Sequence, residues 1–269
     1  MDWRDKAQEG FWKKPQSLLD RDRTISKRKE KKNMESKRKR GLGMKTGMVL
    51  ALFVVGILLG SSALVVADDK EADAHAIVVK AKVTFNSFMA DKDYEWLQKN
   101  LKNVKGLVIY PQVLKAGFIL GGSGGTGVLV VRDPQTGDWS QPAFYTVGSV
   151  TFGLQIGGEA AEVLVIAMSQ KAVDSLLSGS FKLGGDTSIA LGPVGAGADT
   201  NVKVDFYSFA KSKGLYAGVN LEGSVVSVRD SLNKGYYGKE VSPADIIVKK
   251  AVSNEGSATL RADLKKSAK

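Results

Sequence analysis

The chain has 269 residues, about two domains' worth, with 39 Lys/Arg against 28 Asp/Glu and a net charge of +11 at pH 7. It contains no cysteine and one histidine, His75. These counts exclude a disulfide framework, a thiolate nucleophile and cysteine zinc sites, and they leave little for a histidine-based triad or metal cluster. The basic excess lies at the N-terminus: residues 1–45 hold 16 Lys/Arg against 7 Asp/Glu, whereas residues 68–269 hold 23 against 21. The nearly neutral body argues against a folded nucleic-acid-binding domain.

An apolar segment follows the basic N-terminal stretch. Residues 46–67 contain no charged residue over 22 positions, enough to span about 30 Å of hydrocarbon as a helix. The same segment fits a secretory signal that starts at Met44 and is cleaved after Ala67. Residues 1–43 are then either a disordered cytoplasmic tail before an inner-membrane anchor at 44–67, or a misassigned start. Both interpretations predict export of the folded domain, residues 68–250, to the periplasm or cell envelope, with 251–269 as a polar C-terminal tail.

An amphipathic helix is predicted next. Apolar residues from Ile77 to Met89 recur at helical spacing on one face, and a shorter helical piece follows at 94–101. The apolar stripe either packs on the body of the domain or inserts at a membrane interface, and both alternatives stay open. Interleaved lysines make the segment from this helix into the first strands cationic, which attracts anionic headgroups. The candidate lipid contacts are Lys80, Lys82, Phe85, Phe88, Met89, Lys92, Trp96, Lys99, Lys102, Lys105 and Lys115.

Beyond Lys105, short β-rich runs alternate with glycine. They predict a curved, mostly antiparallel glycine-rich sheet, sandwich or barrel-like, in which 132–139 is a hairpin loop. One or two short helices are predicted at 169–177 and 242–249, each opened by a capping serine. The predicted fold class is therefore α+β, with the N-terminal helices followed by the sheet.

Two glycine-rich stretches are predicted as turns. The first matches the pattern G-x-S-x-G around Ser123, but a nucleophile elbow requires a strand-to-helix turn and a histidine later in the chain, and His75 lies upstream. Neither stretch ends in the G-K-[ST] of a phosphate-binding loop. We therefore expect no catalytic residue, metal or cofactor, and no enzyme. The candidate loop glycines are Gly121, Gly122, Gly124, Gly125 and Gly127, and Gly192, Gly195 and Gly197.

The order of motifs resembles the SYLF domain family over roughly residues 72–248. The resemblance is carried by KGLVIYPQVLKAGFILGGSGGTGVLVV at 105–131, GSVTFGLQIGGEAAEVLVIAMSQKAV at 148–173, GPVGAGADTN at 192–201 and YSFAKSKGLYAGVNLEGSVVSVR at 207–229. It implies a non-enzymatic domain that binds phospholipids, phosphoinositides in eukaryotic members, with an amphipathic N-terminal helix contributing to membrane contact. Some eukaryotic members also bind actin. Export departs from this pattern: a location outside the cytoplasm argues against actin and phosphoinositides and favours other anionic lipids.

The predicted function is thus binding of an anionic phospholipid membrane through a cationic amphipathic helix and the glycine-rich sheet, with no nucleic acid as partner. The alternative is an envelope scaffold or protein-interaction module, actin-binding-like in eukaryotic relatives, in which the helix stripe is buried. The two hypotheses differ in what Phe85→Asp or Phe88→Asp would do. The first predicts release from vesicles, and the second predicts unfolding of the domain.

Overall fold

The structure, a computed structural model, describes residues 66–117, 120–152, 157–185, 187–195, 197–198, 202–212 and 221–269. The predicted basic tail and all but the last two residues of the apolar segment lie outside the described residues. The helices are α1 (Val66–Ala90), α2 (Glu95–Asn100), α3 (Gln170–Leu177), α4 (Asp230–Tyr237) and α5 (Ala258–Ser267), with short helical turns at Lys92–Tyr94, Leu101–Asn103, Ala244–Val248 and Glu255–Ser257. The strands are β1 (Gly106–Gly117), β2 (Leu120–Val131), β3 (Ala143–Phe152), β4 (Gly157–Ala167), β5 (Ser180–Lys182), β6 (Ile189–Leu191), β7 (Phe206–Ser212) and β8 (Val225–Val228).

The eight strands form one curled sheet in the order β5-β8-β3-β2-β1-β4-β7-β6. All neighbouring strands are antiparallel except β6 and β7, which are parallel. The two edge strands have only three residues each, and short edge strands limit pairing with other chains. The predicted α+β class with a curved, mostly antiparallel sheet is confirmed, and the sheet is an open half-barrel.

Both sides of the sheet are covered over the first half of β1. Along each strand, alternate side chains point to opposite sides, so a strand covered on both sides is apolar at consecutive positions. Leu107 and Ile109 lie in one cluster with α1, α2, α4 and α5, on what we call the helix side. Val108 and Tyr110 lie in a second cluster with α3, on the opposite side. Consecutive apolar residues of β1 are therefore buried alternately on the two sides of the sheet.

The N-terminal helix α1 is the longest element that covers the helix side. Its predicted helical periodicity is confirmed, since Ala81, Phe85 and Phe88 are all fully buried in the helix-side cluster. Ile77 and Met89 lie at the border of this stripe and are partly buried. The apolar face of α1 thus packs on the body of the domain.

The other predicted local signals can be compared directly with the structure. The Ser169 hydroxyl accepts the N–H of Ala172, which caps α3 as predicted. The loop after β2 is a hairpin closed by a bridge between Arg132 and Trp139. The predicted polar C-terminal tail is wrong: Leu260 and Leu264 of α5 are fully buried in the helix-side cluster. The buried face of α5 has only two leucines and an alanine, and the neighbouring lysines make the segment polar in composition, so its packing could not be predicted.

Candidate binding surface

At one end of the sheet, the second halves of β1 and β3 and the first halves of β2 and β4 are rich in glycine and alanine. We call it the glycine wing: residues 113–116 of β1, 121–125 of β2, 148–150 of β3 and 159–161 of β4. It begins at a β-bulge in β1, where the pairing with β2 shifts between Ile109 and Gln112. Gly127 lies opposite this bulge, and a Cβ there would come within 2.1 Å of the Ile109 carbonyl oxygen. The bulge therefore requires glycine at this position.

The helix side of the wing is an exposed apolar surface. Alternation along β4 places Ala160 on the same side as Glu162, which contacts α1. Cross-strand pairing puts the residues of this side in two rows, the first with Ala160, Leu114, Gly124, Gly148 and Val225, and the second with Ala116, Gly122 and Val150. Leu114, Val150 and Val225 are 55%, 72% and 46% exposed. Three large aliphatic side chains thus stand on a floor of glycine and alanine without cover from the described residues.

Two lysines border this surface. Lys182 of β5 pairs with Val225 and so extends the first row at the sheet edge. Lys80 lies on α1, the helix that packs on the same side of the sheet. Both are exposed, and neither forms an ion pair with another described residue. The apolar surface therefore has a cation at its sheet edge, Lys182, and α1 carries a second, Lys80, on the same side of the sheet.

The carboxylates between α1 and the wing are held by neighbouring groups. Glu162 accepts hydrogen bonds from Thr84, at 2.9 Å, and from Ser87. Lys211 lies 2.7 Å from Asp91, and this hydrogen bond is the main reason that the pKa of Asp91 lies below its usual value. Both carboxylates are thus engaged inside the domain.

The opposite side of the wing is polar. Lys115 pairs across the strands with Glu159 and with Ser123. The Ser123 hydroxyl is 2.7 Å from that of Ser149 on β3. Ser123 therefore lies within a strand and not at a strand-to-helix turn, so the G-x-S-x-G match has no nucleophile-elbow geometry.

The aromatic residues predicted to contact lipid lie inside the domain, and for Phe85 and Phe88 the prediction is wrong. Both are 0% exposed. The ring of Phe88 packs edge-to-face on Tyr94 at 4.6 Å between centroids. Trp96 is partly buried and packs on Tyr207 at 5.1 Å. The same periodicity that suits an interfacial helix suits a helix packed on a sheet, and here the sheet takes the apolar stripe.

The predicted lysines do not form one surface. Lys105 precedes the first residue of β1, whereas Lys115 lies near the other end of that strand. Lys99 is paired with Glu95 at 2.8 Å, and Lys82 lies 3.8 Å from Asp263. Those that remain exposed without an ion pair among the described residues are Lys80, Lys92, Lys102 and Lys105.

The first predicted glycine loop is wrong as a loop. Gly121, Gly122, Gly124, Gly125 and Gly127 all lie within β2, where the run pairs with β1 on one side and β3 on the other. Glycine is a turn signal, but a ladder on both sides overrides it. The second stretch does turn: Gly195 and Gly197 have φ of 106° and 72°, while Gly192 lies so close to the Phe209 ring that no side chain would fit.

Sequence reasoning missed the residues that make the wing a surface. They are Leu114, Val150, Val225 and Lys182. A signal was present in Leu114 and Val150, because each is a large aliphatic residue opposite glycine in the neighbouring strand. Using it requires the strand register, which the bulge in β1 shifts.

No group of three or more His, Asp or Glu is placed to hold a metal ion within the part of the chain that the structure describes. Among the described helices, none is both long enough and apolar enough to cross a membrane.

The fold defines the class: an α+β domain in which helices pack on one open, curled sheet with a small-residue extension. The Ysc84 family, described as "Las17-binding protein actin regulator", matches residues 148–267, from within β3 to the last residue of α5. This match over residues 148–267 supports the resemblance to the SYLF domain family that the motifs indicated.

Curated relatives agree with this assignment. An SH3 domain-containing protein of Schizosaccharomyces pombe is 39% identical over 170 residues, 61% of this chain and 38% of the relative. SH3 domain-containing YSC84-like protein 1 of Homo sapiens is 34% identical over 152 residues, 55% of this chain and 44% of the relative. Protein YSC84 of Saccharomyces cerevisiae is 39% identical over 145 residues, 51% of this chain and 31% of the relative. The chain thus spans less than half the length of these relatives.

Proposed function

We propose that this domain binds anionic phospholipid at a membrane surface without catalysing a reaction, and that the helix side of the glycine wing is the contact. The observation that carries the proposal is the row of exposed small and aliphatic residues that ends at Lys182. The membrane is the one implied by the apolar segment 46–67, on the periplasmic or envelope side.

Apolar side chains and lysines would both contribute to membrane binding. Leu114 and Val150 project from a floor of small residues, so both can enter the acyl boundary of a bilayer without rearrangement of the domain. Burying one such side chain contributes about 1.5–3 kcal/mol. A lysine near an anionic membrane adds about 1 kcal/mol, and Lys80 and Lys182 are free to do so.

This proposal replaces the amphipathic helix as the inserting element. Insertion through Phe85 and Phe88 would remove both from the core and expose the sheet beneath them. The wing needs no such change, because its aliphatic side chains are already at the surface. The helix keeps a role through Lys80.

Flotation of the full chain with vesicles of neutral and anionic lipid tests the proposal. Leu114→Asp is expected to weaken binding by at least about tenfold, because the leucine that would enter the acyl boundary is lost and a charge is introduced. Leu191→Asp is the matched control: Leu191 is 54% exposed, and its pairing with Ser208 puts it on the opposite side of the sheet. Lys182→Gln should reduce binding about fivefold on anionic vesicles only. Equal losses for Leu114→Asp and Leu191→Asp would contradict the proposal.

A protein partner at the same wing is the second candidate. It is favoured by the description of the family as binding Las17 and by the SH3 domain-containing relatives. In the flotation experiment this candidate predicts that Leu114→Asp leaves vesicle binding unchanged. The same variant would then lose a protein partner in a pull-down in which Leu191→Asp retains it.

A further inference from the structure

A cleft of about 850 Å³ lies at the end of the sheet away from the glycine wing. It is formed where β1 begins and β2 ends, and α3, α5 and the Ala244–Val248 turn complete it. Its size is typical of a site for a small organic molecule. One wall is apolar, with Val173, Leu177, Ile246 and Val252.

Three hydrogen-bond donors in the cleft lining have no acceptor among the described residues. They are the Nε groups of Arg132 and Arg261 and the indole Nε1 of Trp139, and all three atoms are buried. Trp139 is 3% exposed, so its N–H is withdrawn from bulk solvent. Arg132 and Trp139 face each other across the bridge that closes the hairpin. Buried donors without an acceptor are costly, and a ligand oxygen would satisfy them once the side chains that cover these atoms move aside.

Contacts within the domain hold the Arg132 side chain in a fixed position. Its Nη1 donates to the carbonyl oxygen of Lys102 at 2.7 Å. The hairpin loop passes over the guanidinium at Gly137, where a Cβ would lie 3.2 Å from Nη2. The guanidinium is therefore held in place while its Nε stays without an acceptor among the described residues.

The charge of the cleft favours an anion. Its two carboxylates are already paired, Asp133 with Lys250 at 3.0 Å and Asp138 with Lys265 at 2.5 Å. The Lys250 hydrogen bond is the main cause that holds the pKa of Asp133 at about 2, so this carboxylate stays charged and paired at neutral pH. Arg132 and Arg261 then remain as uncompensated cations in the lining.

We propose that this cleft binds an aliphatic oxyanion, a molecule with a carboxylate or phosphate group at one end of a single acyl chain. The oxyanion accepts from Trp139 and the two arginines, and the chain lies along the wall of Val173 and Leu177. Arginine and indole N–H groups suit such an acceptor, and the apolar wall gives the chain a place out of water.

The cleft and the wing lie at opposite ends of β1, so this proposal does not depend on the membrane contact. Trp139→Phe is expected to leave vesicle flotation unchanged, and Leu114→Asp to leave ligand binding in the cleft unchanged. Each proposal can therefore fail while the other holds.

Titration of the full chain with decanoate, below its critical micelle concentration, tests the proposal by ¹H–¹⁵N spectra of the indole groups. We expect a saturable downfield shift of the Trp139 indole proton, because a hydrogen bond to a carboxylate forms. Decanol tests the headgroup and should give no such shift. Inorganic phosphate lacks the alkyl chain of decanoate, so it tests the contribution of that alkyl chain and should bind at least about tenfold more weakly than decanoate.

Two variants and one matched control complete the test. Trp139→Phe keeps the ring and removes the donor, and Arg261→Gln removes a cation; each should weaken decanoate binding at least about tenfold in calorimetry. Arg229 also has a buried Nε without an acceptor among the described residues, but it does not line the cleft, so Arg229→Gln should bind normally. The proposal is overturned by an unmoved Trp139 signal, by equal effects of the two arginine variants, or by phosphate or decanol matching decanoate.

Discussion

The two halves of strands β1–β4 belong to one continuous sheet but use their side chains in opposite ways. In the covered half, Leu107 and Val108 are both buried, because helices pack on one side and α3 with the Ala244–Val248 turn on the other. In the glycine wing, Leu114 is more than half exposed and its neighbours are glycine and alanine. On the helix side of the wing, no described element covers Leu114, Val150 or Val225, so these side chains are available for contact with something outside the domain.

The two halves differ in whether their side chains contribute to the stability of the domain or to binding. Fully buried apolar side chains such as Leu107 lie in the covered half, whereas Leu114 and Val150 of the wing are more than half exposed. Substitutions in the covered half should therefore change the free energy of unfolding, and substitutions on the helix side of the wing should change association.

The largest expected difference in the free energy of unfolding is between a charge placed in the covered half and a charge placed in the wing. Phe88→Asp removes a fully buried aromatic ring and leaves a carboxylate among apolar neighbours, so we expect a loss of at least about 4 kcal/mol in the free energy of unfolding. Val150→Asp lies on the exposed wing and should change it by less than about 0.5 kcal/mol. Urea unfolding followed by circular dichroism measures both. Similar losses for the two variants would remove the distinction between the halves.

A second pair of variants tests the border between the halves. Gly127→Ala would force a methyl group against the Ile109 carbonyl at the bulge, and we expect a loss of about 1–3 kcal/mol. Gly124→Ala meets nothing closer than the Val147 carbonyl oxygen at 3.7 Å, an ordinary contact, and should be nearly neutral. The same urea experiment compares them. A neutral Gly127→Ala would mean that the bulge can relax.

The smallest expected effect concerns two buried tyrosines, Tyr110 and Tyr145, on the side of the sheet that α3 covers. Tyr145 donates to the Leu176 carbonyl, so Tyr145→Phe should cost about 1 kcal/mol. The Tyr110 hydroxyl is buried without an acceptor among the described residues, so Tyr110→Phe should cost nothing or stabilise slightly. Burial is the main cause that raises the pKa of both phenols. Thermal unfolding of the two variants gives the comparison, and a larger loss for Tyr110→Phe would contradict it.

Local signals in the sequence were sufficient for the covered half. The apolar spacing around Phe85 predicts α1, and Ser169 predicts the start of α3, because both depend on nearby residues only. What the stripe of α1 packs against could not be predicted, since a membrane interface and the face of a sheet favour the same periodicity.

The wing could not be predicted for a different reason. Gly121–Gly127 satisfies every local rule for a turn, and only pairing with both neighbouring strands makes it a strand. The side on which Leu114 lies depends on the bulge at Ile109 and Gln112, because one extra residue reverses every later side chain in the strand. The candidate surface is thus a property of the register and not of any single motif.

The most direct test of the membrane contact places a reporter on the wing itself. The chain has no cysteine, so Leu114→Cys and Leu191→Cys each give one site for an environment-sensitive fluorophore. With anionic vesicles, the fluorophore at position 114 should shift to the blue and become shielded from an aqueous quencher, while the one at position 191 should change little. The contrary result, in which both positions respond alike or neither responds, would show that the wing does not meet the lipid.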